Sequence, residues 1–193
     1  MGERLSRRAL VGVAAAFTAA WTALRHRAAR ALGLRPPGAL PPGAFERACI
    51  RCMRCAQVCP TGCIRFTSLA ALADAETPFI DAASRACILC MQCTEACPTG
   101  ALVPTPRHPG IIQQRIRMGT PVLDKNTCLP WARTGVCRLC HQACPYPGSA
   151  ITLTAPGLAP VFHAEHCVGC GLCEEACPRT VHAIRIVPPG DAS

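Results

Sequence analysis

The stretch His166-Cys167-Val168-Gly169-Cys170-Gly171-Leu172-Cys173-Glu174-Glu175-Ala176-Cys177-Pro178 decides how this 193-residue chain is read. Its cysteines follow the spacing Cys-x2-Cys-x2-Cys-x3-Cys-Pro. The same spacing recurs at Cys49, Cys52, Cys55, Cys59 and at Cys87, Cys90, Cys93, Cys97, each run closed by a proline. A further run, Cys128, Cys137, Cys140 and Cys144, differs only in an eight-residue first gap. The runs take up sixteen of the seventeen cysteines, Cys63 being the one left over.

This is the ligand spacing of bacterial 4Fe-4S ferredoxins. Three thiolates two residues apart wrap one cubane in a tight loop whose N-H groups turn toward the sulfurs. The fourth, three residues on, is expected to start a helical turn and to serve the cluster of another run, so that runs work in pairs. The following proline removes a donor and fixes φ, turning the chain away. Four runs imply four 4Fe-4S clusters held by the sixteen cysteines. The first cysteines of runs 1 and 2 stand 38 residues apart, and Cys137 stands 30 before Cys167. Local pairing of 1 with 2 and 3 with 4 is one arrangement; nesting of 1 with 4 and 2 with 3 is the other, and spacing does not choose.

Other uses of cysteine fit less well. Structural zinc is held by two separated Cys-x2-4-Cys pairs, whereas run 1 crowds four cysteines into residues 49–59. A disulfide framework conflicts with the odd total and with the poor geometry of bridging neighbours two residues apart. Every run has its full set of thiols, which leaves no vacancy for histidine. His141 and His166, beside ligand cysteines, read as loop residues able at most to tune a cluster by hydrogen bonding. Cys63 follows Pro60-Thr61-Gly62 where the second run has Ala101, and reads as a small buried hydrophobe opening a strand.

Composition agrees with a cluster-nucleated core. Aromatics are 4% of residues while prolines number 19 and glycines 15, so clusters must replace much of the usual apolar interior. The formal charge of +9 counts cysteine as neutral. Four oxidised cubanes with their thiolates bring about −8, so basicity gives no support for nucleic-acid binding. Nothing resembles a glycine-rich nucleotide loop, a nucleophile elbow or a metalloprotease helix, so no catalytic residue is assigned.

The N-terminus reads as an address. Ser6-Arg7-Arg8-Ala9-Leu10-Val11 leads into an apolar stretch that ends before Arg25, with a processing site at Ala29-Arg30-Ala31. This is the order of a twin-arginine export signal, the route for cargo folded around its cofactor before leaving a reducing compartment. An amphipathic helix is the bland alternative, disfavoured by the absent helical period and the prolines at 36, 37, 41 and 42.

The expected architecture is α+β: paired bacterial-ferredoxin-like modules of short strands and short helices. Residues 1–31 form the signal, 32–44 a Pro/Gly-rich linker, 45–104 the module with runs 1 and 2, 105–120 a connecting helix, 121–188 the module with runs 3 and 4, and 189–193 a tail. Strands are expected to approach the runs at 44–46, 78–81, 121–124 and 160–163 and to return at 61–64, 99–102, 148–151 and 182–184. Short helices are expected at 68–73 and at 111–118, where Ile111, Ile112 and Ile116 share a face.

The twin-arginine start, the widened third run with Cys144-Pro145-Tyr146-Pro147-Gly148-Ser149-Ala150-Ile151, the stretch Arg117-Met118-Gly119-Thr120-Pro121-Val122-Leu123-Asp124 and the run quoted first together resemble the NapG/MauM family of ferredoxin-type proteins. The resemblance implies a periplasmic protein at the outer face of the inner membrane. It would carry four 4Fe-4S clusters on these sixteen cysteines and pass electrons between a quinol-oxidising membrane protein of NapH type and a periplasmic redox enzyme or cytochrome, such as nitrate reductase or an amine-dehydrogenase system. It would be an electron-transfer subunit without a substrate site. The rival readings are an iron-sulfur subunit bound permanently to a molybdenum-type oxidoreductase and a cytoplasmic polyferredoxin.

Overall fold

The computed structural model describes residues 33–68 and 75–189. The segment expected to be an export signal, nearly all of the helix expected at 68–73 and most of the tail lie outside them.

Short elements follow one another in chain order: α1 (Ala44–Ala48), α2 (Arg54–Gln57), β1 (Ile64–Phe66), β2 (Pro78–Ile80), α3 (Gln92–Ala96), α4 (Pro109–Arg115), β3 (Thr120–Leu123), α5 (Leu139–Ala143), β4 (Ile151–Thr154), β5 (Ala159–Phe162), α6 (Leu172–Glu175) and β6 (Ile184–Val187). Among the described residues no helix is long and apolar enough to cross a membrane.

Two halves share one plan. In the first, β1 pairs antiparallel with β2, Ile64 facing Ile80, and a bridge between Ala39 and Leu102 closes the outside. In the second, β4 pairs with β5, Ile151 facing Phe162, and β3 pairs with β6, Leu123 facing Ile184. In each half, then, the segment after the first run pairs with the segment before the second, and the outer segments close around them. Alternation decides which side chains enter the core: Ile184 and Ile186 are buried while Arg185 is exposed. Each buried aliphatic of this kind contributes about 1.5–3 kcal/mol.

Helix α4 joins the halves. Pro109 occupies its first turn, where a missing N-H costs nothing, and Ile112 and Ile116 face inward while Ile111 is half-buried. It is shorter than the expected 105–120 because residues 116–119 already leave the helix and β3 begins at Thr120. The described residues belong to one compact unit. Contacts between the halves are close: a Cβ at Gly171 would stand 2.3 Å from that of Ala82.

Three expectations are corrected. The proline-rich stretch does not act as a linker from residue 33 onward. Leu34 exchanges hydrogen bonds with Ile80 (3.1 and 2.7 Å), Leu40 N-H donates to the Ala101 carbonyl (3.0 Å), and Pro36 and Pro37 are fully buried. Proline favours an extended chain, and here that chain lies along the free edge of β2 at Ile80 and beside the return segment at Ala101–Leu102. Arg35 fastens it, donating to Glu46 (3.1 Å) and Thr77 Oγ1 (2.7 Å) above the Phe45 ring. Second, Ala44-Phe45-Glu46 is not a strand but the start of α1, with the Glu46 carboxylate accepting from Gly43 N-H. Third, the helical turn precedes the fourth cysteine: α2, α3, α5 and α6 each contain the third cysteine and end before the fourth.

Because Leu34 is 2% exposed, Leu34→Ala should cost about 2–4 kcal/mol in the denaturation midpoint of the holo-protein. A true linker residue would give almost no change.

Candidate iron-sulfur centres

The chain bends sharply around the middle cysteine of three runs. In run 1 Arg51 and Met53 have φ of 58° and 61°, in run 2 Leu89 and Met91 have 58° and 62°, and in run 4 Gly169 and Gly171 have 72° and 85°. Left-handed residues on both sides of a cysteine turn successive N-H groups to the concave side, a geometry suited to anionic sulfur. Leu89 N-H and Gly169 N-H each point to the sulfur of the first cysteine of their own run, at 3.4 Å.

The cysteines gather around four cavities. One is lined by Cys49, Cys52, Cys55 and Cys97. A second has Cys87, Cys90, Cys93 and Cys59, with Cys63 beside them. A third has Cys128, Cys137, Cys140 and Cys177, and a fourth Cys167, Cys170, Cys173 and Cys144. Each cavity takes three thiols from its own run and one from a partner run, and the pairs are 1 with 2 and 3 with 4. The choice that spacing left open is therefore made by packing: α2 lies against α3 and α5 against α6. The nested arrangement is absent.

The donor set fits a cubane better than one ion. Among the described residues no three Cys, His, Asp or Glu side chains converge closely enough to share a single metal ion. Four thiols around a chamber are instead what four irons at the corners of a cube require. Zinc, which needs its four ligands near 2.3 Å from one centre, does not suit this arrangement.

The widened third run reaches the same geometry by another path. The Asp124 carboxylate accepts from Asn126 N-H (2.9 Å) and Thr127 Oγ1 (2.5 Å), Trp131 Nε1 donates to the Pro160 carbonyl on β5 (2.9 Å), and Lys125 sits 4.3 Å over the Trp131 ring. The inserted residues are thus pinned to the sheet, and Cys128 is buried beside Cys177. Reading the spacing alone missed Trp131; an aromatic inside a lengthened ligand gap was the available signal.

Cys63 is buried, as expected, just before β1, but it also lies on the wall of the run-2 cavity with its sulfur 3.5 Å from that of Cys59. The structure keeps His166 exposed, its carbonyl accepting from Gln113 Nε2 at 3.2 Å.

Without iron, burial keeps most of the deeper thiols neutral. Desolvation, aided by neighbouring thiolates, pushes Cys55 and Cys140 up to about 11 and Cys93 and Cys170 to about 12. At Cys97 desolvation is outweighed by hydrogen bonds from the Leu102 and Thr99 backbone, and the value falls. Iron, when bound, would supply the positive charge that makes thiolates tolerable in these sites.

The raised values set a pH dependence. The folded iron-free chain binds more protons than the unfolded chain from about 9, the ordinary cysteine value, up to about 12. The stability that these raised thiols contribute should be fully present below about 9 and decline above it, visible as loss of near-ultraviolet circular dichroism in alkali. Cys59→Ser should remove the centre of Cys87, Cys90 and Cys93 while leaving that of Cys49, Cys52 and Cys55. Cys63→Ser should retain both and lose about 1 kcal/mol, as iron analysis and EPR of the reduced variants will decide.

Similarity to known proteins points the same way. The 4Fe-4S dicluster domain matches residues 48–101 and again 86–147, and the 4Fe-4S binding domain matches 160–179. The first match coincides with the pair formed by runs 1 and 2, whereas the second spans runs 2 and 3, which line separate cavities. The ferredoxin-type protein NapG of Escherichia coli is 36% identical over 88% of this chain and 78% of its own length. The methylamine utilization ferredoxin-type protein MauM of Methylorubrum extorquens is 37% identical over 74% of this chain and 66% of its own length. With ferredoxin-like 4Fe-4S domains along its length and such relatives, this chain belongs to the NapG/MauM family of ferredoxin-type electron-transfer proteins.

Proposed function

We propose that this protein carries four 4Fe-4S clusters on its sixteen run cysteines and relays electrons in the periplasm from a quinol-oxidising membrane partner of NapH type to a periplasmic redox enzyme. The observation that carries the reading is the set of four cavities, each lined by four cysteines drawn from paired runs. When bound, each cluster supplies reversible one-electron chemistry. The chain's own part is to hold the thiols at fixed separations, to turn backbone N-H groups toward them and to shield them with Leu89, Met91, Val168 and Ile184, all buried. No side chain is asked to move a proton or activate a substrate, in keeping with an electron-transfer subunit rather than an enzyme.

The export signal supports the compartment. Residues 32–193 carry fourteen basic and ten acidic residues, a net +4 that becomes about −4 with four clusters. That leaves the exported form without the basicity that nucleic-acid binding needs. The rival reading, permanent attachment to a molybdenum-type oxidoreductase, would show as a catalytic subunit that stays bound through purification in high salt.

Anaerobically prepared protein should contain about sixteen iron and sixteen acid-labile sulfide per chain. Replacing Arg7 and Arg8 by Lys should leave the loaded protein in the cytoplasm, because the receptor reads the arginine pair while folding does not depend on it. Zinc in place of iron would overturn the cluster assignment, and periplasmic recovery of the double variant would overturn the export route.

A further inference from the structure

Four runs of nearly one sequence are not equivalent in surroundings. In run 1 residues Ile50 to Arg54 are all exposed, Ile50 at 61% and Met53 at 43%. In run 3 Val136 is 71% and Leu139 43% exposed, flanking Cys137 together with exposed Arg138. The corresponding residues of the other runs are more fully covered, although Ile88, the counterpart of Ile50 in run 2, stays 46% exposed. Leu89 and Met91 are buried in run 2, and Val168, Gly169, Cys170 and Gly171 are all buried in run 4. Composition follows: Arg51 and Arg54 in run 1 answer to Leu89 and Gln92 in run 2 and to Gly169 and Leu172 in run 4.

The two inward runs meet each other. Cys87 N-H donates to the Cys170 carbonyl at 3.0 Å, joining the first cysteine of run 2 to the middle cysteine of run 4. Alongside, Ala86 N-H donates to the Glu175 carboxylate at 2.8 Å, and Gly171 lies against Ala82 and Ala86 with no room for a Cβ. From one ligand sulfur to the other the path is covalent except for a single hydrogen bond. Within each half the exchanged fourth cysteines already link run 1 to run 2 and run 4 to run 3.

We infer that the chain strings its four centres in the spatial order run 1, run 2, run 4, run 3, with the crossing between halves at the Cys87 to Cys170 hydrogen bond, and that electrons enter and leave only at the run-1 and run-3 ends. This order rests on the four-cluster reading and departs from the order of the runs along the sequence. It follows that the widened run 3 is a terminus, where a lengthened loop can alter what docks without disturbing the interior, and that runs 2 and 4 are the inner relay positions, run 4 the more deeply covered of the two.

The test is the magnetic interaction between reduced centres. The double variant Cys52→Ala with Cys137→Ala, altered only at the two outer loops, should keep about eight iron per chain in runs 2 and 4. Its fully reduced EPR spectrum should show the split, broadened lines of two neighbouring spins although the surviving centres belong to different halves. Two simple, additive signals would overturn the order. A second measurement needs no variant: a soluble paramagnetic chelate added to the reduced holo-protein should speed the relaxation of two of the four centres and spare the other two. Equal relaxation of all four would exclude the buried inner pair. Should the unaltered protein hold fewer than about sixteen iron, the four-cluster reading fails; sixteen iron with additive spectra fails the order alone.

Discussion

The structure depends on the exchange of the fourth cysteine. Cys59 completes the cavity of run 2, Cys97 that of run 1, Cys144 that of run 4 and Cys177 that of run 3. No run can therefore finish a site alone, and each pair must dock before either member is whole. The helices between third and fourth cysteines set the distance over which the exchange happens, which is why α2 packs on α3 and α5 on α6. The strands are a consequence: once paired loops are back to back, the segments leaving and approaching them lie close enough to pair as β1 with β2 and β4 with β5. Until iron arrives, the chambers themselves hold buried neutral thiols, so binding of the metal adds its free energy directly to that of the apolar core around them.

Local backbone strain follows from the same demand. A left-handed residue without glycine costs of order 1 kcal/mol. Runs 1 and 2 accept that cost at Arg51, Met53, Leu89 and Met91, whereas run 4 uses Gly169 and Gly171. Conformation alone does not account for the difference, since the angles are nearly the same. Packing does: a side chain at either glycine would collide with Gly119 or Ala82, whereas Met53 extends into solvent. Gly171 marks where the two halves press together, and Gly169 where run 4 presses on the segment that leads into β3.

Much of this was legible in the residues. Cysteine spacing located every run, and the apolar segments around Phe79, Val122 and Val161 became strands β2, β3 and β5 where they were expected. What escaped depended on tertiary neighbours. Pro36 and Pro37 carry a linker composition, and only an open strand edge turned such a segment into a packed strap. Phe45 sits in too short a stretch to distinguish strand from helix, and Gly43 with Glu46 settled it through a cap. Cys63 matched Ala101 in register, and the register was right; that its sulfur also reaches a cluster cavity follows from the exchange of Cys59 and from nothing local. The pairing of runs was undetermined for a similar reason, because both pairings satisfy the same spacing and only the packing of short helices separates them.

The third run shows what the constraint acts on. Eight residues replace the usual two between Cys128 and Cys137, and the loop takes a different course, yet four thiols still surround the chamber. The requirement falls on sulfur positions rather than on backbone path, so any insertion is tolerated that returns the first cysteine to its place. Here that return is enforced from outside the loop, by Trp131 on the Pro160 carbonyl and by Lys125 over the indole ring. An indole held by a hydrogen bond and a cation gives a rigid anchor at little entropic cost, since it has only two side-chain torsions to fix. A run so anchored can carry a variable surface at Arg133 to Val136 while its cysteines stay still, which is the division of labour expected of a loop that faces outward on a scaffold whose interior cannot change.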